Sequence, residues 1–399
     1  MSPSLISRSE DLKRLHDEGY DIAVDGAYLV ISNVPYLDSE STICYGTLVS
    51  TLNLAGDRTA RPDTHVVAFA GSFPCHADGL PIVQIAADSQ RQPLTPALTI
   101  DHTFSSKPAA GYADYYEKMT TYIRILATPV RSVHPSATAR TYAVIEPSAQ
   151  ESVFRYLDTA TSRAGIGVAA SKLELTKVAI VGLGGTGSYV LDLIAKTPAR
   201  EIHVFDDDTF YSHNAFRSPG APSLDELRAA PSKVSHFRGI YDHIHRGIVA
   251  HECNITADNV DELREMAFVF LCFDGGPAKR AVVERLQVLD IPFVDVGMGL
   301  HEVDGSIGGT LRITTSSSER HDHIWAHNRI PFAGVDVDDV YARNIQVADL
   351  NALNATLAVI RWKKLFGFYL DFDREHWSSY AIDGNHLLNE ELPCRAQAA

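Results

Sequence analysis

Lys177-Val-Ala-Ile-Val-Gly-Leu-Gly-Gly-Thr-Gly-Ser188, followed by Val204-Phe-Asp-Asp-Asp-Thr-Phe-Tyr-Ser-His-Asn-Ala-Phe-Arg217, decides the fold of this 399-residue chain. A short, β-branched apolar run enters a glycine-dense turn and leaves into a helical pattern carried by Tyr189, Leu191, Leu193 and Ile194. A parallel strand ending in such a turn delivers a phosphate to a helix N-terminus, where unpaired backbone N–H groups and the helix dipole both favour negative charge. The spacing therefore marks a nucleotide site. Gly-x-Gly-x-x-Gly alone does not separate a dinucleotide enzyme from a glycine-rich turn with no ligand, and the second stretch does. The acidic residue closing the next strand, Asp206, is placed for ribose hydroxyls, but Asn214 and Arg217 just after it have no use in a nicotinamide-dependent dehydrogenase and suit a triphosphate.

Outward from this core, apolar runs at 177–182, 202–206, 268–273 and 292–296 alternate with helical stretches, which predicts an α/β fold with a Rossmann-like, doubly wound parallel sheet over residues 151–385. Residues 1–150 predict a smaller α+β domain: helical spacing at 10–18, strand-like runs at 28–32, 47–52 and 65–70, and a closing helix at 112–126 that the following Ala-Thr-Pro and Val-His-Pro steps should end. The stretch 146–151 reads as a linker. Past Gly299 come a strand-like run at 309–315, an irregular segment at 316–343, an apolar helix at 348–366 and a tail at 386–399.

Composition narrows the function. A formal charge of −15 argues against a nucleic-acid surface, which needs clustered Lys and Arg. No apolar run approaches the ~18 residues of a membrane span, and no signal region opens the chain, so a cytoplasmic location is expected. Cysteines at 44, 75, 253, 272 and 394 are odd in number and contain no Cys-x-x-Cys pair, so neither a disulfide framework nor a four-cysteine zinc site is indicated.

Four further residues follow the glycine turn in order. Asp208 can lie at the mouth of the same strand as Asp206, Arg217 offers a forked cation for phosphate oxygens, Lys233 a compact one, and Asp274 ends the apolar strand 268–273, where a magnesium ion would bridge phosphates. Singly, each reads as a solvated surface group; their joint order does not. With Gly182, Gly184, Gly185, Gly187, Asp206, Asp208, Asn214, Arg217, Lys233 and Asp274 in place, residues 152–385 resemble the E1-like adenylating superfamily of ubiquitin-activating enzymes and their bacterial ThiF and MoeB relatives. The resemblance implies that the glycine turn cradles ATP, that Asp206 binds the ribose, that Asn214, Arg217 and Lys233 hold the triphosphate, and that Asp274 holds magnesium. It implies adenylation of the C-terminal carboxylate of a ubiquitin-like protein, a homodimer, an E2-like partner, and a bacterial-type conjugation pathway of the kind that serves antiphage defence. The rival readings are an NAD(P)-dependent oxidoreductase and a non-catalytic scaffold subunit.

The chain departs from that family in three places. The zinc-binding Cys-x-x-Cys pairs are missing, and with only His321, His323 and His327 near one expected place, no zinc is expected. The position that matches an arginine finger is Asp158, with Arg163 nearby. Residues 300–345 contain no cysteine for thioester transfer, which leaves adenylation alone, a hydroxyl among Thr314, Thr315, Ser316, Ser317 and Ser318 with His321 or His323 as base, or Cys394 in the tail. The Thr/Ser run otherwise reads as a polar loop. Residues 1–150 are expected to dock a partner; if they are E2-like, Cys75 is a candidate transfer cysteine, and otherwise a turn cysteine.

Overall fold

The computed structural model describes residues 3–144, 149, 152–332 and 345–390. It divides into two compact units: residues 1–151 with 156–165, and residues 152–155 with 166–399. The expected break at 150 thus leaves out a detail: 156–165 go with the first unit, and 152–155 pack into the second through the Arg155–Asp242 ion pair at 2.6 Å and the Phe154–His245 bridge. The linker expected at 146–151 lies almost wholly outside the described residues.

The first unit is a six-stranded antiparallel sheet in the order β1 (Asp21–Asp25), β2 (Tyr28–Leu37), β3 (Ile43–Thr51), β4 (Val66–Ala70), β6 (His102–Ser105), β5 (Ala86–Asp88). Helices α1 (Glu10–Asp17) and α2 (Tyr115–Val133) cover it, with Leu12, Leu15, Met119, Tyr122 and Leu126 buried against Leu29, Ile31 and Phe69. Asp114 caps α2, its carboxylate accepting from Glu117 N at 2.7 Å. Contrary to expectation, Ala127-Thr-Pro129 does not end this helix: Pro129 lies inside it. A proline there forfeits one backbone bond, and the buried Leu126, Ala127 and Val130 hold the apolar face across it. The helix stops at His134, immediately before the second proline.

The second unit is built on an eight-stranded sheet. Five strands are parallel: β9 (Ile248–His251), β8 (Glu201–Phe205), β7 (Lys177–Val181), β10 (Phe268–Leu271) and β11 (Phe293–Val303). β12 (Ser306–Ser316), β13 (Trp377–Ala381) and β14 (His386–Asn389) continue it antiparallel. Alternation along β7 splits the core: Val178 and Ile180 pack with α3 (Gly185–Ile194), α4 (Lys233–Tyr241) and α6 (Ala348–Leu365), whereas Ala179 and Val181 pack with α5 (Pro277–Val288). A sheet buried on both faces is the doubly wound arrangement expected.

Two expectations are corrected here. Residues 386–389 are the edge strand β14 and not a tail. The Thr/Ser run is not a loop: Thr314, Thr315 and Ser316 end β12, between β11 and β13, and are 0, 0 and 3% exposed. Threonine suits a strand flanked on both sides, so the neighbours decide what the polarity alone did not.

Candidate nucleotide-binding site

At the carboxyl ends of β7, β8 and β10, a cavity of about 490 Å³ opens. Gly182, where β7 runs into the turn, has φ +92°, and a Cβ there would come within 2.7 Å of the Cys272 carbonyl oxygen, so the turn admits only glycine. Gly187 lies beneath the cavity; a Cβ on it would overlap the Gly182 carbonyl, which is how α3 seats closely on the strand. Gly184 and Gly185, at the start of α3, line the opening.

Asp206 ties the next strand to this turn. Its Oδ2 accepts from Leu183 N at 2.7 Å and its Oδ1 from Asp208 N at 2.9 Å. Lys233, the first residue of α4, is buried, and its ammonium sits 2.5 Å from Asp208 Oδ2 and 3.3 Å from Asp206 Oδ1. Asn214 is buried as well and shapes the loop, its Oδ1 accepting from Tyr211 N at 2.9 Å. Arg217 is half-buried, and its Nε has no partner although it is shut off from solvent. Asp274, just past β10, is exposed, and its carboxylate has no protein partner among the described residues.

The cavity thus gathers Gly182, Gly184, Gly185, Asp206, Asp208, Asn214, Arg217, Lys233 and Asp274. Its charges are unevenly matched: Asp206 and Asp208 share the single ammonium of Lys233, while an unpaired guanidinium N–H of Arg217 and the unpaired carboxylate of Asp274 remain. An orphaned buried donor suits a phosphate oxygen, and a free carboxylate at the same opening suits a cation that accompanies it.

Sequence reading passed over the wall made by α6. Asn351 and Asn354, each 1% exposed, line the cavity from its first turns. Asn351 Oδ1 accepts from Thr186 Oγ1 at 3.0 Å, and its Nδ2 donates to the Arg217 carbonyl at 3.2 Å, so it joins α3 to the Arg217 loop. Asn354 Nδ2 donates to the Gly297 carbonyl at 3.2 Å, which leaves its buried Oδ1 unpaired. Two amides three residues apart on the buried face of an apolar helix were the available signal. Near Gly297, Asp295 is fully buried between Lys279 at 2.6 Å and Arg312 at 2.8 Å.

Among the described residues, none of the candidate acyl acceptors lines this opening. Thr314 and Thr315 hydroxyls are sealed in β12, Thr314 Oγ1 donating to the Arg329 carbonyl at 3.0 Å, so they cannot meet an incoming acyl group. Ser317 Oγ is 3.0 Å from Nε2 of His376, not of His321 or His323, and His323 Nε2 donates to the Thr315 carbonyl at 2.9 Å. Ser318 is exposed, and Cys394 lies outside the described residues. Burial pushes the thiols of Cys44, Cys75 and Cys253 above their ordinary range and that of Cys272 up to about 12, so none is an activated thiolate. Cys75 is moreover 2% exposed, which corrects its candidacy for acyl transfer. Asp158 caps a short helix through Thr161 N at 3.0 Å, and Arg163 donates to the Asp17 carbonyl at 2.7 Å within the first unit. Among the described residues, the one close group of three metal-ligand side chains is Asp206, Asp207 and Asp208.

With this geometry stand the comparisons. Residues 160–318 match the model of the ThiF family, and residues 10–159 match that of DUF6791, a domain of unknown function. The segment 160–318 is thus similar to a ThiF family domain, and the segment before it to a second, separate domain. No curated protein matches. Solved structures that it resembles include PaaA, at 16% identity over 56% of this chain and 75% of that one, with a TM-score of 0.44. Another is MccB of E. coli with ATP, at 16% identity over 56% and 66%, with a TM-score of 0.43. The E. coli tRNA N6-threonylcarbamoyladenosine dehydratase TcdA in complex with ATP matches at 22% identity over 36% and 60%, with a TM-score of 0.31.

Proposed function

We propose that the second unit binds ATP and adenylates the C-terminal carboxylate of a ubiquitin-like protein. The observation that carries the reading is one cavity holding a glycine turn at a helix N-terminus, the orphaned Nε of Arg217, Lys233 and the unpartnered Asp274. The turn and the N-terminus of α3 offer backbone N–H groups to the phosphates, and Arg217 and Lys233 offset their charge. Asp206, already bonded to Leu183 N, would in addition accept from ribose hydroxyls. Asp274 would hold magnesium, which supplies charge neutralisation on the phosphates when bound.

A carboxylate oxygen of the substrate attacks the α-phosphorus, the bond from that phosphorus to the bridging oxygen of the β-phosphate breaks, and acyl-adenylate and pyrophosphate result. No side-chain nucleophile is needed, because the site contributes positioning and electrostatics. This agrees with the raised thiols and sealed hydroxyls described above, and makes direct hand-off of the adenylate the reading favoured over an enzyme-bound ester. An E2-like acceptor, a homodimer and a bacterial conjugation pathway in the cytoplasm belong to the same reading and rest on the family resemblance. No helix among the described residues is long and apolar enough to cross a membrane. Calorimetric titration with ATP and with NAD, each with magnesium, tests the nucleotide; pyrophosphate exchange with ubiquitin-like proteins tests the reaction. Tight binding of NAD with none of ATP would reject it.

A further inference from the structure

The first unit holds a feature that adenylation does not use. A cavity of about 760 Å³ lies along α2, and a second of about 370 Å³ adjoins it, the two sharing Arg14, Ala113, Asp114 and Tyr116 as a common wall. Together they form one groove. Every arginine of residues 1–151 except Arg91 lines it, in a chain whose formal charge is −15.

Three of these seven guanidiniums have acidic partners, Arg8 with Asp57 at 3.1 Å, and Arg14 and Arg140 with Glu18; the other four have none among the described residues. Glu18 is shared by Arg14 at 3.3 Å and Arg140 at 2.7 Å, and Arg14 also lies over the Tyr116 ring at 3.7 Å. Arg61 spends its donors on the carbonyls of Tyr112 and Ala110, at 2.8 and 2.5 Å, and so keeps its charge unpaired. Arg58, Arg124 and Arg131 are exposed with no acidic partner among the described residues. Asp114 and Glu117 are the only carboxylates on the walls of the larger cavity, and both are occupied with the start of α2.

We propose that this groove docks an extended, acidic segment of a partner protein. Arg124 and Arg131 are seven residues apart on α2, two turns on one face and ~10 Å along the axis. A single phosphate cannot span that separation, whereas an extended chain brings every second side chain to one face at ~7 Å intervals and so offers successive carboxylates along the groove. The net negative surface elsewhere repels an acidic partner, so the groove determines where it lands. Nucleic acid fits less well, because its phosphates would run past the groove onto a chain of formal charge −15, whereas an acidic segment can end with the groove.

The test uses the full chain and a short fluorescent peptide of alternating glutamate and serine, read by anisotropy. Binding is expected at low ionic strength and should weaken as salt rises. The exposed double variant R124E/R131E should bind about tenfold more weakly or worse, as attraction is replaced by repulsion at two sites. R58E, on the adjoining cavity, should weaken binding too, R91E should not, and ATP titration should be unchanged in all of them. No peptide binding at low salt, or equal affinity in R124E/R131E and the parent, overturns the proposal. Tighter binding of an oligothymidylate of equal length overturns it in favour of a nucleic-acid surface.

Discussion

Lys233 and Asp208 form an ion pair of 2.5 Å at the mouth of the nucleotide cavity, with the lysine side chain 7% exposed and the carboxylate 62%. The buried end of this lysine also touches Asp206, at 3.3 Å, whose side chain is itself 7% exposed. The same ammonium therefore has a structural partner and, in the proposed reaction, a phosphate to meet. Lys233→Ala should reduce pyrophosphate exchange by ~10²-fold or more. It should also destabilise the second unit by about 3 kcal/mol, because Asp206 is left buried without its cation. Exchange kinetics and urea unfolding on one preparation check both; a loss of activity with unaltered stability would mean that the pair with Asp206 is not formed in solution.

Asp274 should behave in the opposite way. It is exposed and unpartnered, so Asp274→Ala should leave unfolding unchanged while lowering exchange by a similar ~10²-fold. Raising magnesium should restore part of the loss if the carboxylate is a ligand, because a weakened metal site refills by mass action. Full activity in this variant would remove Asp274 from the site.

Three of the parallel strands were legible because they are buried on both faces and read as continuous apolar runs: 177–181, 268–271 and the start of 293–303. β9, Ile248-Val-Ala-His251, escaped notice, since it is a four-residue edge strand buried only in part. The Thr/Ser run misled for a related reason: composition reports polarity, and the pairing of Thr314 with Asp295 and Trp377 is set by residues far along the chain. Likewise the ordered motif residues could be named in advance, but not that Lys233 would be held by two of them, nor that Asn351 would connect Thr186 to Arg217. Side chains brought together by the fold leave no local spacing to read.

That asparagine gives a prediction about close packing. A Cβ on Gly185 would overlap the Asn351 amide, which is pinned by Thr186 and the Arg217 carbonyl. Gly185→Ala should therefore cost about 1–3 kcal/mol by overpacking and weaken ATP binding. Asn351→Ala in the same chain should return part of that loss. Thermal unfolding of both single variants and the double decides: strictly additive effects would show that the two positions do not touch.

The last prediction concerns Lys118, which α2 points into the core of the first unit. It is 0% exposed, its Nζ donates to Ser50 Oγ at 2.8 Å, and desolvation pulls its pKa down from 10.5 to about 8. In the unfolded chain the amine keeps its ordinary value, so between pH 8 and 10.5 the unfolded state binds a proton that the folded state has lost. Stability must then rise with pH through that window, and below pH 8 the penalty of burying the ammonium is present in full. The whole effect is about 3 kcal/mol by linkage. Lys118→Met keeps the apolar stem, removes the titration and gives up one hydrogen bond, so it should stabilise the first unit at pH 7 by about 1–2 kcal/mol. Near pH 10 the advantage should shrink or vanish. Denaturant unfolding of both proteins at the two pH values isolates the term, since other titrating groups cancel in the difference. A variant less stable than the parent at pH 7, or a difference that does not move with pH, would mean that Lys118 carries a carboxylate partner or water that keeps it charged.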